Sequence, residues 1–243
     1  MKLASTAALR RTSVAAVVAA ATAIAGPATA QNAGAELNGK LLKPYTATYN
    51  VTAQGNPFGT STATLSQDGD AWVVKNVLES EMFGQTVEAR VLAAGLAPVS
   101  YKFTMSGGMA ASVDITVAGG KITGNSDGPE QMGGKRTFDI AAPPGLFLPG
   151  MHRVALSVLP LSVGQSISVP EFSFRSGVVE NLTLKVTGEE KLTVTAGPFD
   201  TYRIDVSGGD QGSTMWVTKE LPHIVVKQEM QAFPVAYELK SLQ

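Results

Sequence analysis

The sequence predicts a mostly-β protein, a curved antiparallel sheet or barrel-like sandwich with one short helix near the middle of the chain. Two observations carry that expectation. From Tyr45 onwards, segment after segment alternates apolar and polar residues with a period of two, and glycine or proline stands between the segments. This is the pattern of meandering strands rather than of βαβ units. Only the stretch over residues 143–164 has a helical period: Met151, Val154, Ala155, Val158 and Leu159 form one apolar stripe at i, i+3, i+4, i+7 and i+8. No shift in composition divides the chain, so a single all-β domain is expected over residues 44–243, with a helical insert at about 145–160.

Residues 1–30 read as a secretory signal peptide rather than as part of the fold. Lys2, Arg10 and Arg11 precede an apolar run over residues 14–25, and Ala28-Thr29-Ala30 supplies small residues before a cleavage point at Gln31. The run is shorter than the ~20 residues a membrane-spanning helix needs. Thr12, Ser13 and Val14 after the arginine pair fit ordinary secretion better than a twin-arginine signal. Residues 31–43 are polar and contain glycine, and are expected to be a flexible lead-in.

The clearest strand follows, with Tyr45, Ala47, Tyr49, Val51 and Ala53 on one face and threonines with Asn50 on the other. A turn over residues 54–59 returns the chain as a second strand over 60–66, and Asp68-Gly69-Asp70 marks the next turn. Strands are then expected around Trp72, Val74 and Leu78; around Val87, Ala89 and Val91; around Tyr101, Phe103 and Met105; and around Val113, Ile115 and Val117. Residues 119–135 are rich in glycine and polar residues and read mostly as a mobile loop. Phe138 and Ile140 belong to a strand leading into the helix, which Pro149 and Gly150 precede and Pro160 closes.

Beyond the helix, Ile167, Val169, Phe172 and Phe174 read as one or two strands interrupted by Pro170. Leu182, Leu184 and Val186 lead to a turn at Gly188, with Leu192 and Val194 after it. The last strands centre on Tyr202, Ile204 and Val206, on Trp216, on Val226 and Gln228, and on Val235, Tyr237 and Leu239.

The chain has no cysteine, which removes disulfides, thiolate metal sites, a cysteine nucleophile and a lipid-modified cysteine. Loss of the signal takes three basic residues and no acidic one, which leaves a net charge of −4. With no basic cluster, nucleic acid is not an expected partner.

The residues for catalysis or metal binding are sparse. His152 and His223 have no second histidine at helical spacing, so no metal set is expected, and both read as ordinary surface or loop histidines. No Gly-x-Ser-x-Gly elbow occurs, and Gly119, Gly120 and Gly124 are not followed by a phosphate-binding Lys-Ser/Thr pair. The acid pairs Glu79 with Glu81, Glu189 with Glu190, and Asp205 with Asp210 read as solvated faces and turns. Methionines, by contrast, are spread through strands and loops, and methionine suits adaptable apolar surfaces.

The opening from Tyr45 to Val51, Gly69-Asp70-x-Trp72, Leu159-Pro160-Leu161, the run over residues 186–194, Gly197-x-Phe199 and Trp216 through Pro222 together resemble domain-of-unknown-function family 3108. The resemblance covers the chain from Tyr45 to its end. It implies an exported bacterial envelope protein and carries no catalytic residues. The outline is also similar, more distantly, to the curved half-barrels that carry lipoproteins across the periplasm.

The functional expectation is a soluble, non-enzymatic periplasmic protein without cofactor or membrane span, binding a lipid or acyl chain between sheet and helix. The expected lining is Trp72, Met82, Phe103, Met105, Phe147, Met151, Val154, Val158 and Trp216. An envelope interaction module is the alternative, holding a protein partner by a strand edge or by an exposed Leu146-Phe147-Leu148 patch. An enzyme acting on envelope polymers through acids such as Glu79, Glu81, Glu171 and Asp205 is the third.

Overall fold

The computed structural model describes residues 31–32, 37–209 and 212–243, so the signal segment expected over residues 1–30 lies outside it, as does Asp210. The first half of the fold contains β1 (Gln31–Asn32), β2 (Tyr45–Ala53), β3 (Asn56–Asp68), β4 (Ala71–Ser80), β5 (Gly84–Leu92), β6 (Pro98–Met105), β7 (Ala111–Ala118), β8 (Lys121–Asp127) and β9 (Arg136–Ala141). Then come α1 (Met151–Leu156), β10 (Ser166–Ser173), β11 (Val178–Val194), β12 (Gly197–Ser207), β13 (Ser213–Thr218), β14 (Val225–Met230) and β15 (Val235–Leu242).

All the strands join one sheet in the order β1-β10-β11-β12-β13-β14-β15-β2-β3-β4-β5-β6-β7-β8-β9. Every pairing is antiparallel except that of β1 with β10. The order is the chain order cut once and rejoined elsewhere. The last strand, β15, pairs with β2, setting Tyr237 opposite Val51 and Leu239 opposite Tyr49. The flanks left open are β9 and the β10 side, and residues 142–165 run from one to the other.

This open seam is filled by side chains and a short bridge, without a continuous ladder. Phe147 N donates to Pro170 O at 2.7 Å, and Phe172 N donates to Phe147 O at 2.9 Å. Phe138 of β9 meets Phe172 of β10 edge to face at 5.1 Å. Tyr101 and Phe103 of β6 stack on Phe174. Pro170 is tolerated within β10 because its carbonyl still accepts and its missing donor falls at the sheet's flank; β10 is therefore one strand, not two.

The apolar helical stripe faces the core as the period predicts: Met151, Val154, Ala155, Val158 and Leu159 are all buried, together with Leu156. The Met151 sulfur accepts from Leu148 N at 3.1 Å. The chain after the helix is tied down by His223, whose N–H donates to Ser157 O and whose Nε2 lies 3.0 Å from Leu159 O. His223 lies in the loop before β14, as expected of a loop histidine, but at 3% exposure it is buried there and is not on the surface.

Four other expectations need correction. The lead-in, over its described residues 37–43, is packed: Leu37 and Leu42 join the core, and Trp72 Nε1 donates to Gly39 O at 3.0 Å. Residues 119–135 hold strand β8 and a 3-10 turn over Glu130–Met132. Gly124 permits this, since a Cβ there would stand 2.0 Å from Asp114 O of β7. Gly188 is not a turn but lies inside the long β11 beside a bulge, where the register shifts between Val186 and Gly188 and Thr187 is the extra residue. Leu146, Phe147 and Leu148 are buried, so they form no exposed patch.

Candidate functional site

Between the inner face of the sheet and the start of α1 lies a cavity of about 440 Å³. Its walls come from strands far apart in sequence. Tyr101, Phe103 and Met105 of β6 supply one side; Tyr237 of β15 and Met230 of β14 supply another; Phe174 and Leu182 close the seam side. The turn before the helix contributes Pro149 and Gly150, and the first turn of the helix contributes His152 and Arg153. The cavity opens between turns at one end of the sheet. Phe58 and Phe83 meet there at 5.5 Å, and Met109 and Phe233 line the opening while staying about half exposed.

Into this largely apolar space, besides the phenols of Tyr101 and Tyr237, the chain brings four acidic or basic side chains. His152 and Glu171 face each other, with Nδ1 3.6 Å from Oε1 and side chains only 12% and 7% exposed. Among the described residues, neither ring nitrogen of His152 has a hydrogen-bond partner, and neither has Oε1 of Glu171. Arg153 bonds through Nη2 to the Gln228 Oε1, and Gln228 in turn donates to Ser213 Oγ at 3.0 Å. Among the described residues, Arg175, on the turn after β10, makes one polar contact, its Nη2 3.7 Å from the Met132 sulfur. The Nε atoms of both arginines are buried and unpaired. Burial raises the phenols of Tyr45, Tyr49 and Tyr237 above their ordinary range, and the positive charge of Arg153 opposes that rise in all three.

The expected lining residues divide sharply. Phe103 and Met105 line the cavity. Met151, Val154 and Val158 do not, because the apolar stripe of α1 packs into the core and the helix turns its polar side to the cavity. Phe147 is spent on the seam, 2% exposed, and lines instead a second cavity of about 360 Å³ with Leu37 and Leu96. Trp72 packs under the lead-in. Met82 projects from the β4–β5 turn, 73% exposed.

Trp216 lies on the opposite face of β13 from Ser213 and Met215, as a period of two requires. There its indole N–H donates to Glu190 Oε2 at 2.9 Å, between the cationic ends of Arg203 and Lys227. Neighbouring long side chains bury it from outside, which is why an apolar residue can sit on the outer face.

His152 is half-buried at the cavity rather than an ordinary surface residue. Of the acids, Glu79 and Glu81 are exposed and Glu189 pairs with Lys219. Among the described residues no group of three histidines or acids forms a metal set, and no helix is long and apolar enough to cross a membrane.

Sequence reading passed over Glu171, His152, Arg153 and Arg175 as a group. A signal for Glu171 was present: a lone carboxylate among Ile167, Val169, Phe172 and Phe174, at the end of a strand whose last three residues are all buried.

The family model described as protein of unknown function, DUF3108, matches residues 45–235. None of the curated proteins compared matches the chain. Two crystal structures overlap it loosely. One is a candidate lipoprotein from Parabacteroides distasonis, at 10% identity and a TM-score of 0.31, over 84% of this chain and 96% of that one. The other is a candidate exported protein with YmcC-like fold from Bacteroides fragilis, at 10% identity and a TM-score of 0.29, over 83% and 96%. Overlap this loose carries no argument about fold or activity.

Proposed function

The chain belongs to the DUF3108 family, and from that premise we propose that it is a non-enzymatic periplasmic protein that binds a lipid or acyl chain between its curved sheet and α1. One observation carries the reading: a cavity of about 440 Å³ walled by aromatic, methionine and leucine side chains and opening at one end of the sheet. Sites for small ligands are mostly apolar concavities of roughly 300–1,000 Å³ with a few polar groups that set orientation. Methionine and phenylalanine at the opening, Met109, Phe233, Phe58 and Phe83, suit an occupant whose chain length varies, since they adapt without polar atoms to satisfy.

Localisation in the periplasm rests on the signal-like residues 1–30 and the absence of cysteine. The alternative of an exposed Leu146-Phe147-Leu148 docking patch loses its surface, because those residues are buried.

The test is native mass spectrometry on mature protein purified from a periplasmic extract without detergent, followed by organic extraction and lipid analysis. A reproducible adduct that extracts as an amphiphile is expected. A clean mass for the protein, together with no binding of added fatty acid or fatty alcohol, would overturn the reading.

A further inference from the structure

The cavity is not neutral. Among its described lining residues, Arg153 and Arg175 bring two guanidinium groups against the single carboxylate of Glu171. Among the described residues neither arginine has a carboxylate within 4.0 Å. Arg153 is held by the neutral amide of Gln228, and Arg175 by a thioether, a weak acceptor. Glu171, the one acid among the described lining residues, faces His152 instead.

Guanidinium groups without a counter-ion beside an apolar cavity are costly, because desolvation penalises an uncompensated charge. A structural ion pair would have removed that cost, and β10 already carries a glutamate at which such a pair could form. The unsatisfied donors therefore suit a group that arrives from outside. A planar or tetrahedral oxyanion matches a guanidinium through paired N–H···O bonds.

Resting on the lipid-binding reading above, the geometry points to a ligand of one class: an amphiphile with a compact anionic head, carboxylate or phosphate, held by Arg153 and Arg175. Its acyl chain lies along Tyr101, Phe103, Met105 and Phe174 towards the opening. Gln228 and Ser213 fix the Arg153 guanidinium by their hydrogen-bond chain, and Met132 supports that of Arg175.

The experiment is calorimetric titration of the mature protein with hexadecanoate, hexadecyl phosphate, hexadecan-1-ol and hexadecylamine at low salt. Hexadecanoate, hexadecyl phosphate or both should bind roughly tenfold or more tightly than the alcohol, the gain expected of hydrogen bonds to a charged group. In Arg175→Gln and in Arg153→Gln the ratio of anion to alcohol affinity should fall towards one, and Arg175→Lys should restore part of it.

Whether the carboxylate or the phosphate binds more tightly identifies the source of the head. Equal affinity for anion and alcohol would overturn the inference while leaving the lipid-binding reading intact, and tighter binding of the amine would overturn it in favour of recognition by Glu171. Binding of none of the four would remove the reading itself.

Discussion

Ionisation of one buried phenol should set a measurable part of the chain's alkaline instability. Tyr49 is 6% exposed, its hydroxyl donates to Val225 O at 3.0 Å, and burial pushes its ionisation far above the ordinary value near 10. In the unfolded chain the same phenol ionises at about 10. Above that pH the unfolded state binds fewer protons than the folded one, so stability falls as pH rises. The contribution is complete below pH 10 and is lost progressively as the pH climbs towards the folded value. At pH 11 the unfolded phenol is about nine-tenths ionised, which lowers the unfolding free energy by about 1.4 kcal/mol from this residue alone. For a domain of this size that is a fall in Tm of roughly 3–6 °C.

Tyr45 and Tyr237 shift in the same direction and add to the slope. Tyr49→Phe should cost about 1–3 kcal/mol at pH 7 by leaving the Val225 carbonyl unpaired. Between pH 7 and pH 11 it should then lose about 1.4 kcal/mol less than the wild type. Urea unfolding of both proteins at the two pH values measures that difference of differences. Equal losses in the two proteins would refute the reasoning.

Three further outcomes are expected. Leu156→Ala, at a helix position with no exposure, should lower the unfolding free energy by about 2–5 kcal/mol in urea titration. Gly39→Ala places a Cβ 2.5 Å from Ala93 O, so it should destabilise by about 1–3 kcal/mol and speed limited proteolysis over residues 37–43. Trp216→Ala should destabilise by about 3 kcal/mol through loss of the contacts to Glu190, Arg203 and Lys227. Its affinity for hexadecanoate should nevertheless match that of the wild type, because the ring lies across the sheet from the cavity; titration calorimetry checks this.

Strand after strand was legible because alternation records burial directly. Ala47, Tyr49 and Val51 are buried where the pattern of β2 places them. The helical stripe was legible for the same reason. What alternation cannot give is which of two apolar faces turns inward: Met215 and Trp216 are adjacent, and only the charged residues on neighbouring strands assign Trp216 to the outside.

The site was less legible for two reasons. Its walls come from strands whose adjacency depends on β15 joining β2, which no local pattern encodes. The helix also presents His152 and Arg153 to the cavity, the side that a search for apolar lining discards. Glycine was misread wherever it serves close approach or lies beside a bulge instead of forming a turn, as at Gly124 and Gly188.

The pairing of the first long strand with the last governs how the chain can be made. During synthesis β2 emerges early, but its partner β15 follows only after some 180 intervening residues, roughly ten to forty seconds later at ordinary elongation rates. For that interval one side of β2, with its row of N–H and C=O groups, has no native partner, and contacts this distant in sequence form slowly. A product stopped before Val235 would leave β2 and β14 each with a bare side, so the eight residues of β15 guard against association of such edges between molecules.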